Sequence, residues 1–227
     1  METTHAHPDI NGGQPLVQEE FWQGSRRIYI IFAGLMGHIG MPPEVLFRSG
    51  GIIDQSRMIL RDPYQNWYQR GVPTVGRDVF EVAEFLERRI AASGASEVRF
   101  FGNCKGGFAA LLFCSLLGRG HAVATVPQTY LSPERQRLSG DPRGQALTAE
   151  MYQHRAERHI YDLKPWMAQH SPNISADIYV ANNPYDLAHA RELEGFQNIR
   201  VHYLKEGGHR VAMKLEREGR LERMLAV

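Results

Sequence analysis

Short apolar runs alternate with amphipathic stretches along most of this chain. Six runs rich in apolar and β-branched residues predict buried strands, at residues 27–34, 56–62, 97–101, 121–126, 174–181 and 199–204. Apolar residues at helical spacing predict helices at residues 75–92, 108–117, 186–194 and 210–225. Strands that alternate with helices favour the α/β class, with a mostly parallel central sheet and helices on both faces.

Two segments depart from this alternation. Residues 1–25 are mainly polar and predict a leader, so that residues 26–227 form a single domain. Residues 129–173 lack strand patterning and contain a helical stretch near residues 149–159. We expect this segment to be an insertion that covers the sheet as a lid and shapes the substrate site.

Composition narrows the classes of protein that the chain can represent. Hydrophobic residues at 43% and charged residues at 22% are typical of a globular protein. The formal net charge of +1 offers no field for nucleic acid, and no apolar run is long enough to span a membrane. The two cysteines indicate no disulfide framework and no Cys or His spacing indicates a metal site, so we expect a reduced, cytoplasmic protein without cofactors. The sequence leaves the oligomeric state open.

The segment Gly102-Asn103-Cys104-Lys105-Gly106-Gly107 joins a predicted strand to a predicted helix. A nucleophile in such a strained turn needs small residues two positions before and two after it, because the strand and the helix approach closely there. Gly102 and Gly106 meet that need. The free amides and the dipole of the helix N-terminus also favour a thiolate at this position. We therefore predict that Cys104 is a covalent nucleophile.

Backbone donors for a developing oxyanion are expected on both sides of this nucleophile. The N–H of Lys105 follows Cys104 directly. A second donor is expected at Gly34 or Leu35, in the glycine-rich loop after the first strand. In the same loop, His38 is a candidate for contact with the substrate.

A base and an orienting acid are expected after the later strands. His209 follows a Gly-Gly pair between the last predicted strand and the last helix, and we predict that it is the base. Asp186 follows the penultimate strand and is the predicted acid, the alternative being that it only caps the next helix. Glu206 is the reserve acid, whereas Asp177 lies at the opposite end of its strand.

Further short matches to one family lie along most of the chain from about residue 27. They are Asp62, Trp67-Tyr68, Gly71, the run 102–111, Pro127-Gln128, Asp186, His189-Ala190 and Gly208-His209. With these matches the chain resembles small bacterial proteins of the α/β-hydrolase fold. The resemblance implies esterase, thioesterase or O-acyltransferase activity. Members usually carry serine in the strained turn where this chain has Cys104. The cysteine is therefore expected to change the preferred acyl donor more than to remove activity.

Three functions are compatible with these residues. The first is an acyl hydrolase, a thioesterase or esterase, in which water releases an acyl group from Cys104. The second is an acyltransferase that passes the acyl group to a sugar hydroxyl or an amine, and the third is a non-catalytic scaffold. The substrate of either enzyme would be a small-molecule or carrier-bound acyl group. Trp67, Tyr68 and Gln128 are candidates to contact it, although the two aromatic residues can equally fill the core.

Overall fold

One seven-stranded sheet runs through the part of the chain that the structure describes. The structure is a computed structural model and describes residues 13–154, 158–171 and 173–226. The strands are β1 (Val17–Glu20), β2 (Arg27–Phe32), β3 (Ser56–Leu60), β4 (Glu97–Asn103), β5 (His121–Thr125), β6 (Ala176–Val180) and β7 (Ile199–Tyr203). Their order is β1-β3-β2-β4-β5-β6-β7, and only β1 is antiparallel to its neighbour. The predicted mostly parallel α/β sheet is confirmed.

Helices pack around this sheet in two groups. They are α1 (Pro43–Ser49), α2 (Val79–Ser93), α3 (Lys105–Leu117), α4 (Pro133–Ser139), α5 (Gln145–Gln153), α6 (Leu163–His170), α7 (Pro184–Arg191), α8 (Val211–Arg217) and α9 (Leu221–Ala226). Helix α3 contacts α2, α6 and the central strands, whereas α9 contacts α1 and α8. Strands β3 and β6 are buried at every residue, which requires cover on both of their faces.

Three elements differ from the sequence prediction. Strand β1 lies in the segment assigned to a polar leader and pairs with β3, whereas residues 1–12 of that segment lie outside the described residues. Helix α1 occupies a segment that was expected to be a loop and begins directly after Pro42. The single helix expected over residues 210–225 is two helices, because Gly219 adopts a φ of 65° between α8 and α9.

The segment 129–173 contains α4, α5 and α6. The helix predicted near residues 149–159 corresponds to α5, which ends at Gln153, and residues 155–157 lie outside the described residues. Whether the segment acts as a lid stays a prediction. Over the residues that the structure describes, no helix has both the length and the apolar character needed to cross a bilayer.

The parallel strands bring three distant positions to one edge of the sheet. Cys104 follows β4, Asp186 lies just after β6, and His209 follows β7. Carboxyl ends of parallel strands meet at the same edge, which is where open α/β sheets hold their ligands. This edge is therefore the place to look for a site.

Candidate active site

The turn between β4 and α3 holds Cys104 in a conformation that few L-residues adopt. Its φ is 55° and its ψ is −116°, and its N–H donates to the carbonyl of Thr125 at 2.9 Å. A Cβ at Gly102 would lie 1.9 Å from the carbonyl oxygen of Gly106. A Cβ at Gly106 would lie 2.1 Å from the carbonyl oxygen of Phe32. The two glycines are therefore a steric requirement of this turn.

The two cysteines of the chain have opposite environments. Cys104 is partly exposed and immediately precedes α3, where the first N–H groups have no partner inside the helix. Cys114 is buried in the same helix, and burial raises the pKa of its thiol to about 12. Only the environment of Cys104 suits a reactive thiol.

The imidazole of His209 contacts the carboxylate of Asp186. Nδ1 of His209 lies 2.9 Å from Oδ2 of Asp186 and 3.1 Å from Oδ1. Hydrogen bonds with Asp186 and with Cys104 raise the pKa of His209 to about 10. Helix α7 is capped by Asn183, whose side chain accepts the N–H groups of Tyr185 and Asp186. Asp186 is therefore not the helix cap, and its carboxylate is directed to His209.

The two other carboxylates considered in the sequence analysis lie elsewhere. Glu206 is exposed, and within the described residues it has no hydrogen bond or ion pair with His209. Asp177 is buried at the opposite edge of the sheet, where its Oδ2 lies 2.9 Å from Nε2 of His121. The acid that the structure brings to the imidazole is Asp186.

An arginine from the 129–173 segment reaches the same carboxylate. Nη1 of Arg143 lies 2.6 Å from Oδ1 of Asp186 and 3.2 Å from Nδ1 of His209. Its Nε and Nη2 donate to the carboxylate of Asp141 at 2.9 and 2.7 Å. Burial acts to lower the pKa of Arg143, but hydrogen bonds to Asp141 and Asp186 raise it above its usual value. The sequence analysis missed this residue, since nothing local marks a partner 43 positions away.

Asp141 in turn meets a buried histidine. Nε2 of His189 lies 3.6 Å from Oδ2 of Asp141, and both residues are almost fully buried. Nδ1 of His189 accepts the N–H of Thr129 at 3.0 Å, so the hydrogen of the neutral ring lies on Nε2. Burial lowers the pKa of His189, which favours this neutral form. We call the chain of contacts His209, Asp186, Arg143, Asp141 and His189 the acid network.

The loop after β2 supplies only part of the expected oxyanion donors. The N–H of Gly34 donates to the carbonyl of His38 at 2.8 Å, which removes Gly34 from the two alternatives for the second donor. The N–H of Met36 donates to Oε1 of Gln65 at 2.8 Å. For the N–H of Leu35, no acceptor is found within the described part of the chain. Leu35 is therefore the candidate second donor.

The side chain of Lys105, the residue after Cys104, places a buried ammonium group in the core, which the sequence analysis also missed. Its Nζ donates to the carbonyl of Gln65 at 2.6 Å and lies 4.3 Å from the centre of the Trp67 ring. Burial lowers the pKa of Lys105 to about 8, although Asp62 and Cys104 act to raise it. In the sequence a lysine in a polar turn indicates a solvated side chain, and only the fold buries this one.

Three of the four residues expected to contact substrate are buried instead. Trp67 and Tyr68 are 0% exposed and Gln128 is 6% exposed. Nε1 of Trp67 donates to Oε1 of Gln128 at 3.0 Å, and the hydroxyl of Tyr68 donates to the carbonyl of Leu60 at 2.7 Å. These contacts hold the loop after β3. Trp67 and Tyr68 therefore fill the core, the alternative that the sequence left open, and the expected contact of Gln128 with substrate is corrected because its amide is buried against Trp67. His38 is exposed, and its contact with substrate stays a prediction.

Across residues 13–154, 158–171 and 173–226, no group of three or more His, Cys, Asp or Glu side chains is placed to hold a metal ion.

Comparison with known proteins identifies relatives of the fold. No protein-family model matches the chain, and no curated protein matches it. It is similar to the capsule O-acetyltransferase of Neisseria meningitidis serogroup A, with a TM-score of 0.62 and 16% identity over 89% of this chain and 87% of that one. Est1E from Butyrivibrio proteoclasticus has a TM-score of 0.59 and 10% identity, over 92% of this chain and 93% of its own.

A third similar structure is an α/β hydrolase from the metagenome of lagoon sediments at Mar Chica, Morocco. Its TM-score is 0.57 and its identity 17%, over 89% of both chains. At these identities the likeness concerns the fold alone. The order of the strands and these three similarities agree, and the chain has the α/β-hydrolase fold.

Proposed function

We propose that the protein is an acyl hydrolase, a thioesterase or esterase, that forms an acyl-cysteine on Cys104. In this proposal His209 is the base and Asp186 the orienting acid. The observation that carries it is the position of His209, whose Nδ1 hydrogen-bonds to Asp186 and whose pKa is raised by its interactions with Asp186 and Cys104. A binding scaffold gives no reason to align a thiol, an imidazole and a buried carboxylate at one edge of the sheet.

The first half of the reaction loads the enzyme. The thiol of Cys104 gives its proton to Nε2 of His209, and the thiolate attacks the carbonyl carbon of the acyl donor. Asp186 stabilises the resulting imidazolium, in line with the raised pKa of His209. We assign the N–H groups of Lys105 and Leu35 to the negative carbonyl oxygen. The intermediate then expels a thiol or alcohol, which takes the proton from His209, and an acyl-cysteine remains.

The second half of the reaction releases the acyl group. His209 takes a proton from water as the water oxygen attacks the carbonyl carbon of the acyl-cysteine. The new tetrahedral intermediate breaks its bond to sulfur, and a carboxylic acid leaves. The thiolate of Cys104 and the imidazolium of His209 then stand as they do before the next attack, so the cycle closes without a cofactor.

Intact-protein mass spectrometry tests this proposal. The protein is mixed with acyl thioesters of increasing chain length, and the mass is followed with time. We expect the wild type and Cys114→Ala to gain one acyl group at residue 104, and Cys104→Ala to gain none. If product forms at the wild-type rate in Cys104→Ala, the covalent mechanism is wrong.

Acyl transfer is the second candidate, and the likeness to a capsule O-acetyltransferase favours keeping it. A thioester reacts with amines and hydroxyl groups as well as with water, so the same acyl-cysteine serves both reactions. Adding a sugar or an amine to the loaded enzyme separates them. Faster loss of the acyl group, with an acylated sugar or amine as product, would identify a transferase.

We also propose a cytoplasmic location and a small-molecule or carrier-bound acyl substrate. Both cysteines are free thiols, and a catalytic thiolate is preserved in a reducing compartment. Activity that is lost on mild oxidation and recovered with a thiol reductant is the expected behaviour. Activity that survives oxidation unchanged would count against a cysteine nucleophile.

A further inference from the structure

Arg143 contacts one carboxylate oxygen of Asp186, whereas His209 contacts both. Nη1 of Arg143 lies 2.6 Å from Oδ1, whereas Nδ1 of His209 lies nearer to Oδ2, at 2.9 Å, than to Oδ1, at 3.1 Å. Nη1 and Nδ1 are themselves 3.2 Å apart. When His209 acts as a base at Nε2, its Nδ1 carries a hydrogen, and so does Nη1, so neither can accept from the other. The hydrogen on Nδ1 is thereby directed to the carboxylate of Asp186.

Arg143 is itself held from the side of the 129–173 segment. Its Nε and Nη2 form a fork on the carboxylate of Asp141, and its own backbone N–H donates to Oδ1 of Asp141 at 2.9 Å. Asp141 is 4% exposed and faces Nε2 of His189. A bidentate contact fixes the plane of the guanidinium group as well as its position. The turn between α4 and α5 therefore determines where Nη1 meets Asp186.

The charges of the acid network support the same role. Asp141 and Asp186 are two buried carboxylates on either side of the guanidinium group of Arg143. Two buried negative charges repel each other, so they need the positive charge between them. His189 is neutral. The network then has one net negative charge when His209 is neutral, and none when His209 is protonated. One carboxylate charge is thus left to stabilise the imidazolium.

We propose that Arg143 is a positioning residue that orients the carboxylate of Asp186 toward His209 and couples this contact to the position of the 129–173 segment. The proposal rests on the proposed function for its kinetic consequences. Within the described residues, Arg143 and Asp186 from α7 contact His209, and Cys104 in the turn between β4 and α3 also acts on its pKa. Arg143 touches no reacting atom, so it acts through Asp186.

Kinetics of matched arginine variants provide the first test. Arg143→Gln removes a positive charge that contacts Asp186, and Arg135→Gln removes one from α4, where Arg135 pairs with Glu192. We expect Arg143→Gln to lower kcat roughly tenfold to a hundredfold, with a smaller change in KM. Arg143→Lys retains the charge and should recover part of the rate. Arg135→Gln should remain close to the wild type.

The tautomer and pKa of His209 provide a readout that a merely structural role would not change. Nitrogen NMR of the labelled imidazole, recorded above its pKa of about 10 so that the ring is neutral, should show one tautomer in the wild type, with hydrogen on Nδ1. In Arg143→Gln we expect a mixture of tautomers and a changed pKa of His209, because the carboxylate of Asp186 is no longer held toward Nδ1. In Arg143→Lys the pKa should stay near the wild-type value.

The outcomes separate this proposal from the proposed function. If Cys104→Ala keeps full activity, the proposed function fails, and the NMR signals of His209 alone decide the role of Arg143. If Cys104→Ala is inactive, Arg143→Gln must change both kcat and the tautomer, and a change in only one of them overturns the proposal. If Arg143→Gln does not fold, the double variant Arg143→Gln with Asp141→Asn removes both charges of the bidentate contact together. The kcat and the tautomer of His209 are then measured in that variant.

Discussion

Two clusters of aspartate and histidine lie at opposite edges of the same sheet. At the carboxyl edge, Asp186 contacts His209. At the amino edge, Asp177 lies between His121 and His202. Both carboxylates are 1% exposed and both bind imidazole groups. A buried aspartate beside a histidine is therefore no sign of catalysis by itself.

The two clusters differ in the side chains and backbone that surround them. Beside Asp186, the turn between β4 and α3 adds a thiol at a helix N-terminus. Around Asp177, Nδ1 of His121 lies 2.8 Å from Oγ of Ser175, and the ring of His202 stacks on Tyr179 at 4.3 Å. The amino-edge cluster ties β5, β6 and β7 together. We therefore expect variants at the carboxyl edge to change activity and variants at the amino edge to change stability.

The largest effect is expected at Cys104. Cys104→Ala should lower kcat at least about a thousandfold, because no other group can carry the acyl intermediate. Cys104→Ser should keep part of the activity, since the turn suits either nucleophile. Cys114→Ala is the control, with kcat retained and the melting temperature lowered. Equal turnover in Cys104→Ala and the wild type would contradict the catalytic role of the carboxyl edge.

A histidine pair gives the next contrast. His209→Ala should lower kcat nearly as much as loss of the nucleophile, because the thiolate then lacks its proton partner. His202→Ala should leave kcat unchanged and lower the melting temperature. Steady-state kinetics with thermal unfolding of both variants measures this. A similar loss of kcat in the two variants would show that the edges do not differ as described.

The aspartates should differ in the same way, with a smaller effect on rate. The fold-loss of kcat in Asp186→Asn should be roughly tenfold to a hundredfold smaller than in His209→Ala, since the acid orients the imidazole and carries no proton. Asp177→Asn should keep kcat and lower the free energy of unfolding by about 1–3 kcal/mol. Glu206→Gln should be silent. If Glu206→Gln is crippling and Asp186→Asn is not, the acid has been assigned wrongly.

The pH dependence of unfolding should show the smallest effects. Burial acts to raise the pKa of Asp177, but hydrogen bonds with His121 and His202 lower it below its usual value. The resulting stability is complete above the unfolded pKa of about 3.9 and is lost as pH falls below it. The pKa of His209 is raised to about 10, so its contribution is complete below about pH 6.5 and is lost as pH rises toward 10.

Urea unfolding across this pH range measures both contributions. Asp177→Asn should reduce the loss of stability in acid, and His209→Ala should reduce the loss on the alkaline side. The changes of unfolding free energy with pH on the acid and the alkaline side arise at opposite edges of the sheet. Each variant therefore serves as the control for the other. An alkaline slope that is unchanged in His209→Ala would contradict the raised pKa of that imidazole.

Much of the fold could be predicted because a strand covered on both faces produces a continuous apolar run. The run at residues 121–126, for example, corresponds to β5 at His121–Thr125. Strand β1 escaped prediction because it is an edge strand of four residues that are mainly polar. Helix α2 begins at Val79, later than expected, since the side chain of Asp78 caps it by accepting two N–H groups.

The candidate site could be predicted only where its residues carry a local pattern. The glycines around Cys104 are required by a turn of six residues, so the sequence itself reveals them. Arg143 and the side chain of Lys105 acquire their roles from partners that are 43 and 40 positions away. The burial of Trp67 likewise depends on Gln128, which is 61 positions away. Such contacts have no period or spacing that the chain reveals before it folds.

If Cys104 is the nucleophile that we propose, its strained backbone sets activity against stability. A side chain at a φ of 55° and a ψ of −116° costs about 1–3 kcal/mol relative to a relaxed conformation. Glycine at this position would avoid that cost, and the inactive chain would then be harder to unfold than the active one. Selection for stability alone would therefore remove the thiol. A residue other than glycine at this position marks a place where the chain gives up stability for a purpose other than folding.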